Sequence, residues 1–429
     1  MPAFSLSVEA LQKIIAALDT DYQRYKNMGL SLDMTRGKPC AEQLDLSAPL
    51  LSLPGDAYCS MGNIDCRNYG GIDGIAEAKA LFAEYLSVPV ENILVGGNAS
   101  LSLMHTELTI AMLRGVQGVR QPWSRLPNVK MLCPSPGYDR HFAMCEAFGI
   151  EMLPVPLLDS GPDMDMVEQM VREDALIKGI FCVPKYSNPT GITYAKESVL
   201  RLAEMETAAD DFRLFWDNAY AVHDLVDDPV PLENIFDACE KAGNPDRPLI
   251  FGSTSKITFP GAGLAVFASS TKNLNSTIEF ISKKSIGPDK LNQLRHVLFL
   301  QDRHGISRHM KRHRAILEPK FNAVYATLGN CLGNAGLAKW TTPDGGYFVN
   351  LDTTAGGAAE VIKMAADLGV AFTPAGATYP YSHDPRNSNI RIAPSYPAVD
   401  EIEKAIEVLS LCIKLYAYNS ILSRKRATE

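Results

Sequence analysis

The 429-residue chain is longer than one hydrophobic core commonly serves, so a large domain with a smaller companion is expected. Its composition, 46% hydrophobic and 21% charged, excludes a disordered chain. A net charge of −8 offers no concentrated basic surface for a nucleic-acid or anionic-membrane partner.

The N-terminal stretch has no basic segment followed by an apolar core, so no secretory signal is expected. No run of about 18 apolar residues predicts a transmembrane helix. The nine cysteines are odd in number, contain no CxxC pair and often sit in apolar runs such as Ile180-Phe181-Cys182-Val183. They read as reduced core thiols in a cytoplasmic protein, with no metal cluster.

In chain order, Leu11, Ile14, Ile15 and Leu18 fall on one face of a helix over 7–27. Residues 33–55, punctuated by proline and glycine, predict a crossing segment. Apolar strands are predicted at 92–96, 129–133, 151–155, 177–183, 212–217, 247–252 and 264–269, with helices between them at 101–113, 139–148, 163–173 and 194–210. Uninterrupted apolar strands alternating with helices imply an α/β fold: a mostly parallel seven-stranded sheet flanked by helices. The stretch 289–330 turns helical and locally basic, and reads as a solvated helix face. From 336 the texture becomes strand, helix, strand, helix (345–351, 358–368, 370–373, 389–393, 398–418). This predicts a smaller α/β domain built from both chain ends. The expected division is 1–48 with the small domain, 49–328 as the large domain and 329–429 as the C-terminal small domain.

Four clusters could carry chemistry. Ser253-Thr254-Ser255-Lys256 follows an apolar strand and precedes Pro260-Gly261-Ala262-Gly263. Strand ends of an open α/β sheet are where ligands bind, and Lys256 is either a covalent amine or a surface lysine. Asp217-Asn218-Ala219-Tyr220 puts a carboxylate at a buried strand end, where it needs a cationic partner unless it caps a turn. Asn188-Pro189-Thr190-Gly191 is a tight turn whose asparagine can also donate a hydrogen bond. Gly96-Gly97-Asn98-Ala99-Ser100 opens a helix whose first amides suit one phosphate, though Ser100 also reads as a simple cap. It lacks the spacing of a dinucleotide or P-loop motif.

The order of these clusters, with Tyr138 after Pro134-Ser135-Pro136-Gly137, resembles the aspartate aminotransferase superfamily, the class I branch of fold-type I pyridoxal phosphate (PLP) enzymes. The resemblance runs from about Asp33 to the C-terminus. Thr35-Arg36-Gly37-Lys38-Pro39, Gly97-Asn98-Ala99-Ser100 and Ser253-Thr254-Ser255-Lys256-Ile257-Thr258-Phe259 look like a divergent bacterial subgroup. What the resemblance implies is a large PLP-binding domain in which Lys256 forms the internal aldimine and later moves a proton. Asp217 would pair with the ring nitrogen and keep it protonated. Asn188 and Tyr220 would bond the phenolic oxygen, and Tyr138 would stack on the ring. Ala99, Ser100, Ser253 and Ser255 would hold the phosphate, joined by Tyr69 from the other subunit of a homodimer. Arg391 in Asn389-Ile390-Arg391-Ile392 would grip the substrate α-carboxylate, beside Gly37. The implied activity is transfer of an amino group from L-aspartate to 2-oxoglutarate by a ping-pong mechanism.

Two departures stand out. The family arginine eight residues after the lysine is Leu264 here. The arginine that reads a distal carboxylate in better-known branches has no counterpart in Ser282-Lys283-Lys284-Ser285, which leaves Arg36 and Lys38 as the expected substitutes. An aromatic or broad-range aminotransferase, a β-lyase on the same fold, and a non-catalytic ligand sensor are the alternatives.

Overall fold

The structure is a computed structural model that describes residues 6–116, 121–333 and 335–428; the first five residues of the N-terminal stretch read above lie outside it. The chain forms two compact units. The larger contains residues 42–187 and 192–314; the smaller contains the residues up to Ala41, residues 188–191 and those from Ala315 on.

The larger unit is built on one sheet: β1 (Ile93–Val95), β2 (Lys130–Ser135), β3 (Glu151–Leu158), β4 (Gly161–Pro162), β5 (Ile177–Cys182), β6 (Arg213–Asp217), β7 (Pro248–Ser253) and β8 (Ala265–Ala268). The strand order is β1-β8-β7-β6-β5-β2-β3-β4. The central run from β7 to β3 is parallel. β8 lies antiparallel between β7 and β1. All seven predicted strands form; β4, a two-residue strand folded back on β3, is an addition.

Strands β5, β6 and β7 are buried along their whole length, which explains why they read as apolar runs rather than alternating ones. Successive side chains feed opposite faces. Leu214, Trp216 and Ile250 join the core under helices Ala76–Leu86, Met164–Glu173 and Lys196–Glu204. Phe181, Phe215 and Phe251 join the core under helices Ser100–Arg114, Asp139–Ala147 and Thr271–Ile281. Asp217 and Ser253 are the last residues of adjacent parallel strands, so both emerge at the carboxyl edge of the sheet.

In the smaller unit, β9 (Ala338–Trp340), β10 (Val349–Thr353) and β11 (Asn389–Ile392) form an antiparallel sheet in that order. Leu32–Asp33 pairs in parallel with Val370–Ala371. The helices Val8–Lys26 and Val399–Thr428 pack together, and Tyr25 Oη donates to Glu407 Oε2 at 2.8 Å, so both chain ends build this unit. The C-terminal helix is long and apolar enough to cross a bilayer, yet most of it is buried within the protein. It extends ten residues beyond the expected end at 418, whereas the helix expected over 194–210 spans only Lys196–Glu204. All nine cysteines are free, and all but Cys59 and Cys331 are buried.

Candidate active site

In the larger unit, the turn after β7 carries Ser253 and Ser255 side by side, with Ser253 Oγ donating to Ser255 Oγ at 3.1 Å. Ser255 Oγ in turn donates to Asn98 O at 3.4 Å, which joins the turn to the start of helix Ser100–Arg114. Gly97 takes φ +70° there, a left-handed conformation that glycine adopts without cost. Ala99 caps the helix with no side-chain hydrogen bond; the Ser102 amide donates to Ala99 O at 3.1 Å, and the Ser100 and Leu101 amides ahead of it suit an outside anion. Ser100 itself is buried.

Lys256 is half-buried, with Nζ 4.9 Å from the centre of the Tyr220 ring. Burial lowers the pKa of its ammonium, and the nearby Asp217 carboxylate works in the opposite sense. Asp217 is buried at the end of β6, with Oδ2 3.1 Å from His141 Nε2. Its Oδ1 is buried and has no hydrogen-bond partner among the described residues. His141 was not singled out in the sequence. It lies one helical turn beyond Tyr138, stacks on Phe181 at 4.6 Å and meets the Tyr138 ring edge-on at 5.0 Å. Lys256, Asp217, Tyr220, Tyr138, Ser253, Ser255, Ala99 and Ser100 thus gather at one edge of one sheet.

Leu264 lies deep in the core at 1% exposure, its amide donating to Thr254 Oγ1 at 2.9 Å. Tyr69 stands apart from this cluster, 80% exposed, on a loop pinned by Lys290 Nζ to Asn68 O at 2.6 Å and Gly70 O at 2.8 Å. A separate cavity of about 560 Å³ is lined by Lys185, Trp216, Asn218, Asp224 and Arg314 and includes neither Lys256 nor Asp217. Its buried charge is satisfied internally: Lys185 pairs with Asp224 at 2.7 Å.

In the smaller unit, Arg391 sits on β11 at 8% exposure, which excludes a surface-strand role. Nη1 donates to Asn188 Oδ1 at 3.2 Å, and Nε and Nη2 donate to Thr373 Oγ1 at 3.3 and 3.2 Å. Thr373 Oγ1 itself donates to Thr35 O at 2.8 Å. The guanidinium carbon lies 5.0 Å from the centre of the Phe348 ring. The same ring explains Gly37, because a Cβ at that position would stand 2.5 Å from Phe348 Cζ. Phe348 and Thr373 were not found from sequence; nothing local to either marks it. Arg36 and Lys38 flank Gly37 and are both exposed, with Lys38 Nζ 3.8 Å over the Tyr396 ring.

The family model described as aspartate amino-transferase matches residues 6–425. A Mycolicibacterium smegmatis protein named as an aminotransferase is 50% identical over 94% of this chain and 95% of its own. The aspartate aminotransferase of Corynebacterium glutamicum is 45% identical over 92% of each chain. A crystal structure of an aspartate transaminase from C. glutamicum superposes with a TM-score of 0.96 at 42% identity, covering 98% of this chain and 99% of the other. With this fold, these relatives and a lysine–carboxylate pair at the carboxyl edge of the sheet, the chain belongs to the aspartate aminotransferase family and is a transaminase.

Proposed function

We propose that this transaminase carries PLP on Lys256 and passes an amino group from L-aspartate to 2-oxoglutarate in two alternating half-reactions. The supporting observation is Asp217: a buried carboxylate beside Lys256 with one oxygen fixed by His141 and the other lacking a hydrogen-bond partner among the described residues. A buried acceptor left unpaired costs about 1–3 kcal/mol, and a protonated ring nitrogen is the donor that would remove this cost. The donor set fits the rest of the group as well. Two hydroxyls and an uncapped helix start suit its phosphate, and the Tyr138 ring suits its aromatic face.

When bound, PLP supplies an electron sink for charge developing at the amino acid Cα. Asp217, oriented by His141, keeps the ring nitrogen protonated. Lys256, whose ammonium is destabilised by burial, is the group that takes and returns the Cα proton. Tyr220 and Asn188 donate to the phenolic oxygen; Asn188 Oδ1 is engaged by Arg391, which leaves its amide nitrogen as the donor. Ser253, Ser255 and the amides of Ala99 and Ser100 hold the phosphate, with Tyr69 from the second subunit of a homodimer. Its exposed ring is available for that reach. Arg391 receives the α-carboxylate as a two-pronged donor, with Gly37 allowing close approach. Arg36 and Lys38 supply the positive charge for the distal carboxylate, and the protein works in the cytoplasm.

Borohydride reduction of the wild type should fix a pyridoxyl group to the peptide containing Lys256, read by mass analysis. K256A should show none and should lose aspartate transamination by at least about a thousandfold, in the range for removing a positioned proton-transfer group. A wild type that takes up no added PLP would overturn the reading. Arg36→Ala and Lys38→Ala, assayed in parallel on aspartate and phenylalanine, test the substrate: both should raise KM for aspartate and leave phenylalanine unaffected.

A further inference from the structure

Three consecutive residues at the Lys256 turn are each held by a buried imidazole. His223 Nε2 lies 3.3 Å from Lys256 O, His309 Nε2 lies 2.7 Å from Ile257 O, and His296 Nε2 lies 2.9 Å from Thr258 Oγ1. The three rings come from separate places: the segment after β6, helix Lys290–Leu300 and helix Arg303–Leu332. A carbonyl only accepts, so His223 and His309 carry their proton on Nε2. His296 is the reverse case. Its Nδ1 lies 2.7 Å from Asn292 O and must carry the proton, leaving Nε2 to accept from the Thr258 hydroxyl.

A second layer backs the first. His313 lies one turn beyond His309, with its Nε2 3.1 Å from His309 Nε2 and its Nδ1 3.0 Å from Gln43 Nε2. Ser47 Oγ lies 3.3 Å from His309 Nε2. On the other flank, Thr258 Oγ1 lies 3.0 Å from Thr254 Oγ1, which accepts the Leu264 amide at 2.9 Å and so ties the turn to the residue before β8. Burial pushes the imidazoles down, to about 3 for His223 and His313 and about 4 for His296, with His309 also lowered. They are therefore uncharged at neutral pH and hold the turn without setting a positive charge against the Lys256 amine.

Resting on the assignment of Lys256 as the cofactor lysine, we propose that His223, His296 and His309 are positioning residues, which hold the main chain of Lys256–Thr258 so that a long, rotatable side chain delivers its amine to one place. A displacement of about 1 Å in a reacting group costs on the order of a hundredfold in rate, so this turn is where rigidity matters most. None of the three touches the reacting atoms; they act through Lys256.

The test measures PLP affinity and the pH midpoint of the bound cofactor's absorbance change in wild type, T258V, H309L and H309Q. T258V keeps shape and removes only the hydroxyl that His296 grips. H309L removes the donor to Ile257 O, and H309Q restores an N–H near the Nε2 position. T258V and H309L should each weaken PLP binding by at least about tenfold and move the midpoint by about one pH unit, because the displaced amine meets Asp217 and Tyr220 differently. H309Q should recover part of both. Wild-type affinity and midpoint in T258V and H309L overturn the proposal; if H309L does not fold, the isosteric T258V decides alone. A wild type without cofactor overturns the Lys256 assignment and this proposal together, whereas a loaded wild type with indistinguishable variants removes the proposal only.

Discussion

Arg391 commits Nε, Nη1 and Nη2 to neighbours that orient it, Thr373 and Asn188, while the Phe348 face covers its plane. Lysine can offer a charge at this position but not a planar fork. Arg391→Lys should therefore raise KM for aspartate by about tenfold to a hundredfold, the worth of about 1.5–3 kcal/mol in a charge-assisted bond, with a smaller effect on kcat. Steady-state kinetics at saturating 2-oxoglutarate check this. Leu264 poses the opposite case. Restoring the family arginine there would bury a charge where the backbone is already paired with Thr254 and the side chain is enclosed by apolar neighbours. Leu264→Arg should lower unfolding stability by several kcal/mol in a urea titration, without tightening PLP binding. The residues that sequence made visible, Lys256, Asp217, Asn188 and Arg391, sit inside local motifs. His141 and Thr373 do not, because each is defined by a partner far along the chain; His141 and Asp217 are 76 positions apart.

At the scale of elements, the sheet was legible because its parallel strands are covered on both faces and so are written as unbroken apolar runs. Strand β4 escaped because two residues carry no periodicity. The helix ending at Glu204 fell short of its expected end because the backbone turns extended at Met205, a buried side chain. At the amino edge of the sheet, opposite the Lys256 cluster, Lys178 Nζ donates to Asp211 Oδ1 at 2.6 Å and Trp123 Nε1 donates to Asp211 Oδ2 at 2.7 Å. Both side chains of the ion pair are buried. Lys178→Met strands the Asp211 charge, so it should cost about 3–5 kcal/mol of stability while leaving KM for aspartate unchanged. Paired denaturation and kinetic measurements separate the two effects.

For the whole molecule, the four imidazoles of His223, His296, His309 and His313 predict how stability responds to acid. Their pKa values in the folded protein lie below the ordinary 6.5, so the unfolded chain takes up protons first. The stability they contribute is complete above pH 6.5 and is lost as pH falls from there toward 3 to 4. His223, His296 and His313 should each cost about 1.4 kcal/mol per pH unit across that window. Urea unfolding at pH 7.5, 6.5 and 5.5 should show little change over the first step and a steep fall over the second. His296→Gln should flatten the fall by about one proton's worth.

The assignment of Asn188–Gly191 to the smaller unit, with both flanks in the larger, means that the polypeptide passes from one unit to the other four times. No single cleavage releases either unit as an uninterrupted stretch. A gene fragment cannot encode one without part of the other. Engineers who wish to exchange the smaller unit between relatives must transplant three separate stretches of coding sequence, and the four-residue Asn-Pro-Thr-Gly insert has to travel with the C-terminal half.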